Sequence, residues 1–141
     1  MPVRFKSNLP QTLKRMRLVF AQRMYRAVKA VSAELKHRVL RGPRSGLFYR
    51  LPGGGGLLYQ ASAPGEPPAF RTGAMNDAVS YTVGVFGPRI LGRVGALDIL
   101  GRPYPRYLEG GTTRMKPRPW LRKTMLSLTP RVGSILNGRL A

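Results

Sequence analysis

The chain reads as an α+β protein: a long N-terminal helix and a C-terminal helix packed on a small, mainly antiparallel sheet, with long loops and arms. Three observations point there. An apolar stripe of helical period covers residues 11–41, and strict apolar–polar alternation covers 79–85. The 17 glycines and 13 prolines among 141 residues crowd the connections. The length suits a single domain, 1–141, large enough to bury a core. It divides into an N-terminal arm (1–10), the long helix (11–41), a flexible Gly/Pro-rich hairpin or loop (42–70), a sheet with a signature loop and helix (71–128), and a C-terminal tail (129–141).

In the long helix, Leu13, Met16, Phe20, Met24, Ala27, Val28, Val31, Leu35 and Val39 recur at spacings of mainly three and four, which places them on one face. Arg15, Gln22, Arg26, Lys29 and Lys36 fall opposite. Ser7 or Asn8 is placed to cap the start, and Gly42-Pro43 ends the helix. Arg38 lies on the apolar side, near enough to the last turn to snorkel outward.

Residues 46–51 and 57–61 suit a hairpin around the four glycines 53–56. Ala63 to Ala69 is proline-stiffened and extended. Residues 71–77 make a turn or a single helical turn. Val79, Tyr81, Val83 and Val85 define a half-buried strand that Gly87-Pro88 breaks. Residues 90–100 form a second strand, whose glycines suggest a bulge or an edge. Tyr104 to Glu109 makes a short helical turn ending at Gly110-Gly111. A last helix starts near Pro117 or Pro119 and runs through Trp120, Leu121, Thr124, Met125 and Leu128 until Pro130 ends it. Val132, Ile135, Leu136 and Leu140 leave a weakly amphipathic tail.

Charge narrows the function. Twenty-five Lys and Arg face five acids, a formal net charge of +20. Such a chain calls for a polyanionic or acidic partner: nucleic acid first, an acidic protein surface second, an anionic membrane third. There is no cysteine, so neither disulfides nor thiolate sites arise. No apolar run approaches the roughly 20 residues of a membrane span, and no signal-peptide core follows the first Met; no membrane partner is expected.

Catalytic chemistry is sparse. His37 is the only histidine and reads as a solvated surface residue, so no histidine-based metal site forms. Glu66, Asp77, Asp98 and Glu109 are scattered, whereas two-metal nuclease chemistry needs converging carboxylates. No catalytic residue, cofactor or metal is expected. Gly53–Gly56 lacks the Gly-Lys-Ser/Thr of a phosphate loop.

The densest run is Tyr104-Pro-Arg-Tyr-Leu-Glu-Gly-Gly-Thr-Thr-Arg-Met-Lys-Pro-Arg-Pro-Trp-Leu-Arg122. Tyr104, Tyr107 and Trp120 have two readings, stacking on bases or closing the core beneath the last helix, of which the core is favoured. Met115, between Arg114 and Lys116, reads as an intersubunit plug. Glu109, inside a basic stretch, reads as an ion-pair partner for an arginine of its own or a neighbouring subunit.

This run resembles the signature of a family of tailed-bacteriophage tail-component, head–tail joining or tail-completion proteins. That pattern is Tyr-x-x-Tyr, a hydrophobe and Glu, then Gly-Thr, Arg-Met and Pro-x-Pro-aromatic-Leu. Gly110 stands where an aromatic is common. Upstream, Ser62 to Ala69, Arg71-Thr-Gly73 and Ala74 to Val79 resemble the family's proline-rich segment and Thr-Gly turn. The glycine run at 53–56 and the high charge depart from the pattern.

The resemblance implies a non-enzymatic virion protein of the neck or upper tail, assembled in the host cytoplasm. It implies a homo-oligomeric ring around the DNA channel, in contact with neighbouring connector and tail proteins. Tyr104, Tyr107, Glu109, Thr112, Thr113, Arg114, Met115, Lys116, Arg118 and Trp120 are then the candidates for subunit or partner contact. Arg15, Arg26, Lys29 and Lys36 are candidates to meet genomic DNA or an acidic partner. The alternative is a basic nucleic-acid-binding protein outside any virion. A nuclease relying on Asp77 or Asp98 ranks last.

Overall fold

In a computed structural model, which describes residues 9–138, α1 (Leu9–Glu34) runs for 26 residues and passes into a π-helical turn, Leu35–Val39. Leu40 N–H closes that turn on the Leu35 carbonyl at 2.9 Å, a bond one residue longer than an α-helical one. The helix starts two residues before the sequence reading, with Pro10 in its first turn, where a missing N–H costs nothing. The expected caps Ser7 and Asn8 lie outside the described residues.

The two hairpins do not merge into one sheet. β1 (Phe48–Arg50) pairs antiparallel with β2 (Leu58–Gln60), as the Gly-rich tip suggested. After the short α2 (Ala74–Ala78), β3 (Val79–Phe86) pairs antiparallel with β4 (Arg89–Ala96). The turn is Gly87-Pro88, and Gly87 has the positive φ of 56° that a two-residue hairpin wants at its first central position. The ladder runs unbroken from Val79↔Ala96 to Phe86↔Arg89, so of the two alternatives read from its glycines, a bulge or an edge, β4 shows the edge, in a sheet of two strands. Gly92 also serves close approach: a Cβ there would stand 2.6 Å from Met24 Sδ and from Val28 Cγ1 of α1.

The second strand also stops earlier than expected. Ile99 and Arg102 bond each other across a tight turn whose central residues, Leu100 and Gly101, have φ of 52° and 69°. Ala63 to Ala69 is not extended throughout, because Gly65 at φ 85° turns it and Glu66 N–H closes on the Ala63 carbonyl.

α3 (Tyr104–Gly110) ends at Gly111, and α4 spans Arg122–Leu136. Pro130 therefore sits inside α4, and the segment read as a tail continues the helix to Leu136. The missing proline N–H leaves one intrahelical bond unmade, but hydroxyls brace both sides: Thr129 Oγ1 donates to Met125 O and Ser134 Oγ to Pro130 O. Leu140 lies outside the described residues.

α1 packs across β3–β4 and along α4. The core gathers Val31, Leu35, Leu40, Val79, Leu108 and Trp120, with Met75, Met115, Leu128 and Val132 against it. Only the C-terminal half of the α1 stripe enters this core. Arg23 marks the boundary, donating to the Leu136 carbonyl at 3.2 Å near the end of α4.

Candidate docking surfaces

The segment after α3 is a rigid scaffold, and Glu109 is its keystone. Its carboxylate accepts backbone N–H groups from Trp120 (2.8 Å), Leu121 (2.9 Å) and Arg122 (2.9 Å), the donors left open at the start of α4. This replaces the expected ion pair with an arginine: three amides and the positive end of a helix already compensate the charge. Leu121, at the N-cap position, has no side-chain acceptor of its own.

Trp120 is 2% exposed and donates its indole N–H to the Pro105 carbonyl at 3.2 Å. The core reading of this side chain holds, and it has no exposed surface for direct contact with a neighbour. Thr112 and Met115 exchange backbone bonds, while Thr112 Oγ1 accepts from the Arg114 and Met115 amides. Met115 is half-buried against the core of its own chain, so its side chain is no free plug. Arg118 also turns inward. Its guanidinium donates to the backbone and hydroxyl oxygens of Ser62, and its amide bonds the Leu108 carbonyl at 2.7 Å. The core reading fails for Tyr104 and Tyr107, which face solvent from α3, as do Thr113, Arg114 and Lys116, with Thr112 exposed at the base of the turn.

Two more groups hold this scaffold to the rest: Arg44, which was not singled out in the sequence, and Glu66, which was read there only as one of the scattered acids. Arg44 donates to the carbonyls of Val39, Gly42, Pro43 and Pro68, clamping the end of the long helix to the proline segment. Burial pushes its guanidinium pKa down, and Glu66 opposes that shift. Glu66 accepts from the Ser45 hydroxyl, the Ser45 amide and the Ala63 amide, and these bonds hold its carboxyl below the usual range. An arginine just past Gly42-Pro43 was the available sequence signal, since last-turn carbonyls need donors.

On α1 the spacing of Arg15, Arg26 and Lys29 puts them in one row, and all three are exposed. Lys36 is half-buried and lies beyond the start of the π turn, which breaks that angular register. No acid occurs from Leu9 to Ala33. The N-terminal half of the apolar stripe shares this solvent exposure: Leu13, Met16 and Phe20 are 49%, 49% and 45% exposed. Among the described residues, no three of His, Cys, Asp and Glu stand close enough to hold a metal ion, and no helix is long and apolar enough to cross a membrane.

These features define an α+β chain with a braced loop, a long basic helix and large exposed apolar side chains. No family model, no curated protein and no solved structure matches the chain.

Proposed function

We propose that the chain is a structural subunit of a tailed-bacteriophage neck or upper tail, a connector, tail-completion or terminator protein. It forms a ring around the DNA channel and acts without catalysis. The observation that carries the assembly reading is the α1 stripe. Its buried half, Ala27, Val28, Val31 and Leu35, continues without a break in spacing into Leu13, Met16 and Phe20, which the described residues leave 45–49% exposed. An apolar face of that length on a surface helix calls for another molecule. The virion setting rests on the Tyr104–Arg122 signature, which presents Tyr104 and Tyr107 outward from α3 and Arg114 and Lys116 from the braced loop. Closed rings made from one repeated contact are the economical way to cover such faces.

A second reading has its own observation. The exposed row Arg15, Arg26 and Lys29 on an acid-free helix face suits phosphates, as in a nucleic-acid-binding protein outside any virion.

Sedimentation of the wild type and of the triple variant Leu13→Ser, Met16→Ser, Phe20→Ser separates the two. The assembly reading expects a defined oligomer for the wild type, and a monomer of unchanged melting temperature for the variant. Its virion setting expects the wild type, and not the variant, to enter particles. A wild-type monomer with sub-micromolar duplex affinity that falls steeply with salt overturns it in favour of the second reading.

A further inference from the structure

A cleft of about 720 Å³ opens between the β1–β2 hairpin with its proline strap on one side and α2, the Ile99–Arg102 turn and α3 on the other. Its size falls within the range of ligand sites, roughly 300–1,000 Å³. Leu47, Tyr49, Phe70, Leu100 and Tyr104 line it and all remain exposed. They come from well-separated stretches of the chain, Leu47 with Tyr49, Phe70 alone, and Leu100 with Tyr104, so their grouping is a product of the fold.

The polar lining is lopsided. No Asp or Glu lines the cleft. Arg118 is engaged with Ser62, which leaves Arg71 as the available cation among the described residues of the lining. Its guanidinium lies over the Tyr59 ring at 5.4 Å, and that ring stands 5.9 Å from Tyr49, so aromatic faces hold the charge at the cleft wall. The strap supplies unpaired backbone: Ala69, Phe70 and Arg71 make no backbone–backbone hydrogen bonds among the described residues. Asn76, in the lining, has its Oδ1 buried without a hydrogen-bond partner among the same residues.

We propose that this cleft receives an extended peptide segment of a partner protein, one that alternates apolar side chains with carboxylates. The unpaired strap calls for a backbone, as in strand addition. The uncovered Leu, Phe and Tyr side chains call for apolar groups, and Arg71 in an acid-free lining calls for a carboxylate. A second copy of the chain is a poor source. Its Glu34 pairs with Arg38, while Glu66 and Glu109 hold backbone amides. Asp77 lies in α2, and Asp98 adjoins the turn that lines this same cleft. Nucleic acid fits less well, because Leu40, Met75 and Leu108 offer nothing to base edges. The proposal names a chemistry for the partner of the assembly reading, yet it stands without the ring or the virion.

Fluorescence anisotropy at about 0.15 M salt tests it with four labelled probes: octapeptides alternating Leu-Asp, Leu-Asn and Ser-Asp, and an eight-residue oligothymidylate. The Leu-Asp peptide is expected to bind at least about tenfold tighter than either other peptide. Arg71→Gln and Leu47→Asp each lower its affinity about tenfold without changing the melting temperature. Arg50→Gln, an exposed cation outside the lining, leaves it unchanged. Equal binding of Ser-Asp and Leu-Asp reduces the effect to bulk charge and overturns the proposal. Unchanged affinity in Arg71→Gln overturns it too. Tighter binding of the oligothymidylate, lost in Arg71→Gln, replaces it with a nucleic-acid site. None of these outcomes depends on whether the chain forms a ring.

Discussion

Glu109 and Leu100 are side chains whose roles follow from a handful of atoms. Glu109 was legible as a lone acid in a basic run, but not as a cap. Its amide donors lie 11–13 residues away, beyond the reach of local capping patterns. Removing a capping acceptor costs about 0.5–2 kcal/mol, and three open donors put Glu109→Ala at the upper end. Denaturant midpoints of the wild type and of this variant measure the loss. If Glu109 instead paired with a neighbouring subunit, the variant would weaken association and leave the monomer's midpoint in place. Leu100 presents the reverse case. It is 96% exposed at φ 52°, a left-handed conformation that a leucine adopts at a cost of about 1–2 kcal/mol. Asn tolerates that conformation and suits the position before Gly101. Leu100→Asn is expected to raise stability by about 1 kcal/mol in the same assay, and a lowered midpoint would contradict the strain argument.

The elements show how far sequence pattern carries. The long helix, the first hairpin and the 79–86 strand were legible because each has a clean period and sharp punctuation. The end of α4 was not: Pro130 reads as a stop, yet packing of Leu128 and Val132 against the core outweighs one missing bond. Nor did the α1 stripe reveal that half of it would stay uncovered, because periodicity marks a face and not what lies against it. The glycines of β4 were legible as marks of a bulge or an edge, and β4 is an edge, but the helix crossing was not legible. Gly92 is where α1 crosses the strand, and an added Cβ meets buried Val28 as well as flexible Met24. Gly92→Ala is expected to destabilise by about 1–3 kcal/mol through overpacking. Gly95 lies on the same strand with nothing within 4 Å of an added Cβ, so Gly95→Ala is expected to be neutral within about 0.5 kcal/mol. Thermal melts of the pair make the comparison; equal costs would mean that α1 does not cross where Gly92 lies.

Charge acts on the molecule as a whole. Against 25 cations, the chain sets five acids, three of which are spent inside it: Glu34 on Arg38, Glu66 on Ser45 and Ala63, Glu109 on α4. Bonds to neutral amides leave those carboxylate charges in the balance, so the excess stays at +20 and compact folding works against its own repulsion. Salt relieves that repulsion, since the screening length falls from about 30 Å at 0.01 M to about 10 Å at 0.1 M. A protein stabilised by surface ion pairs loses stability over this range, whereas this one is expected to gain it. A gain of about 1 kcal/mol corresponds to a melting temperature higher by about 3–5 °C for a chain of this size. The rise should be largest below 0.1 M and flatten above it, because charges more than about 10 Å apart are already largely screened there. Differential scanning fluorimetry from 0.01 to 0.3 M sodium chloride reads this directly. A flat or falling curve would mean that the positive charges are compensated within the fold, and the case for a negatively charged partner would lose its physical basis.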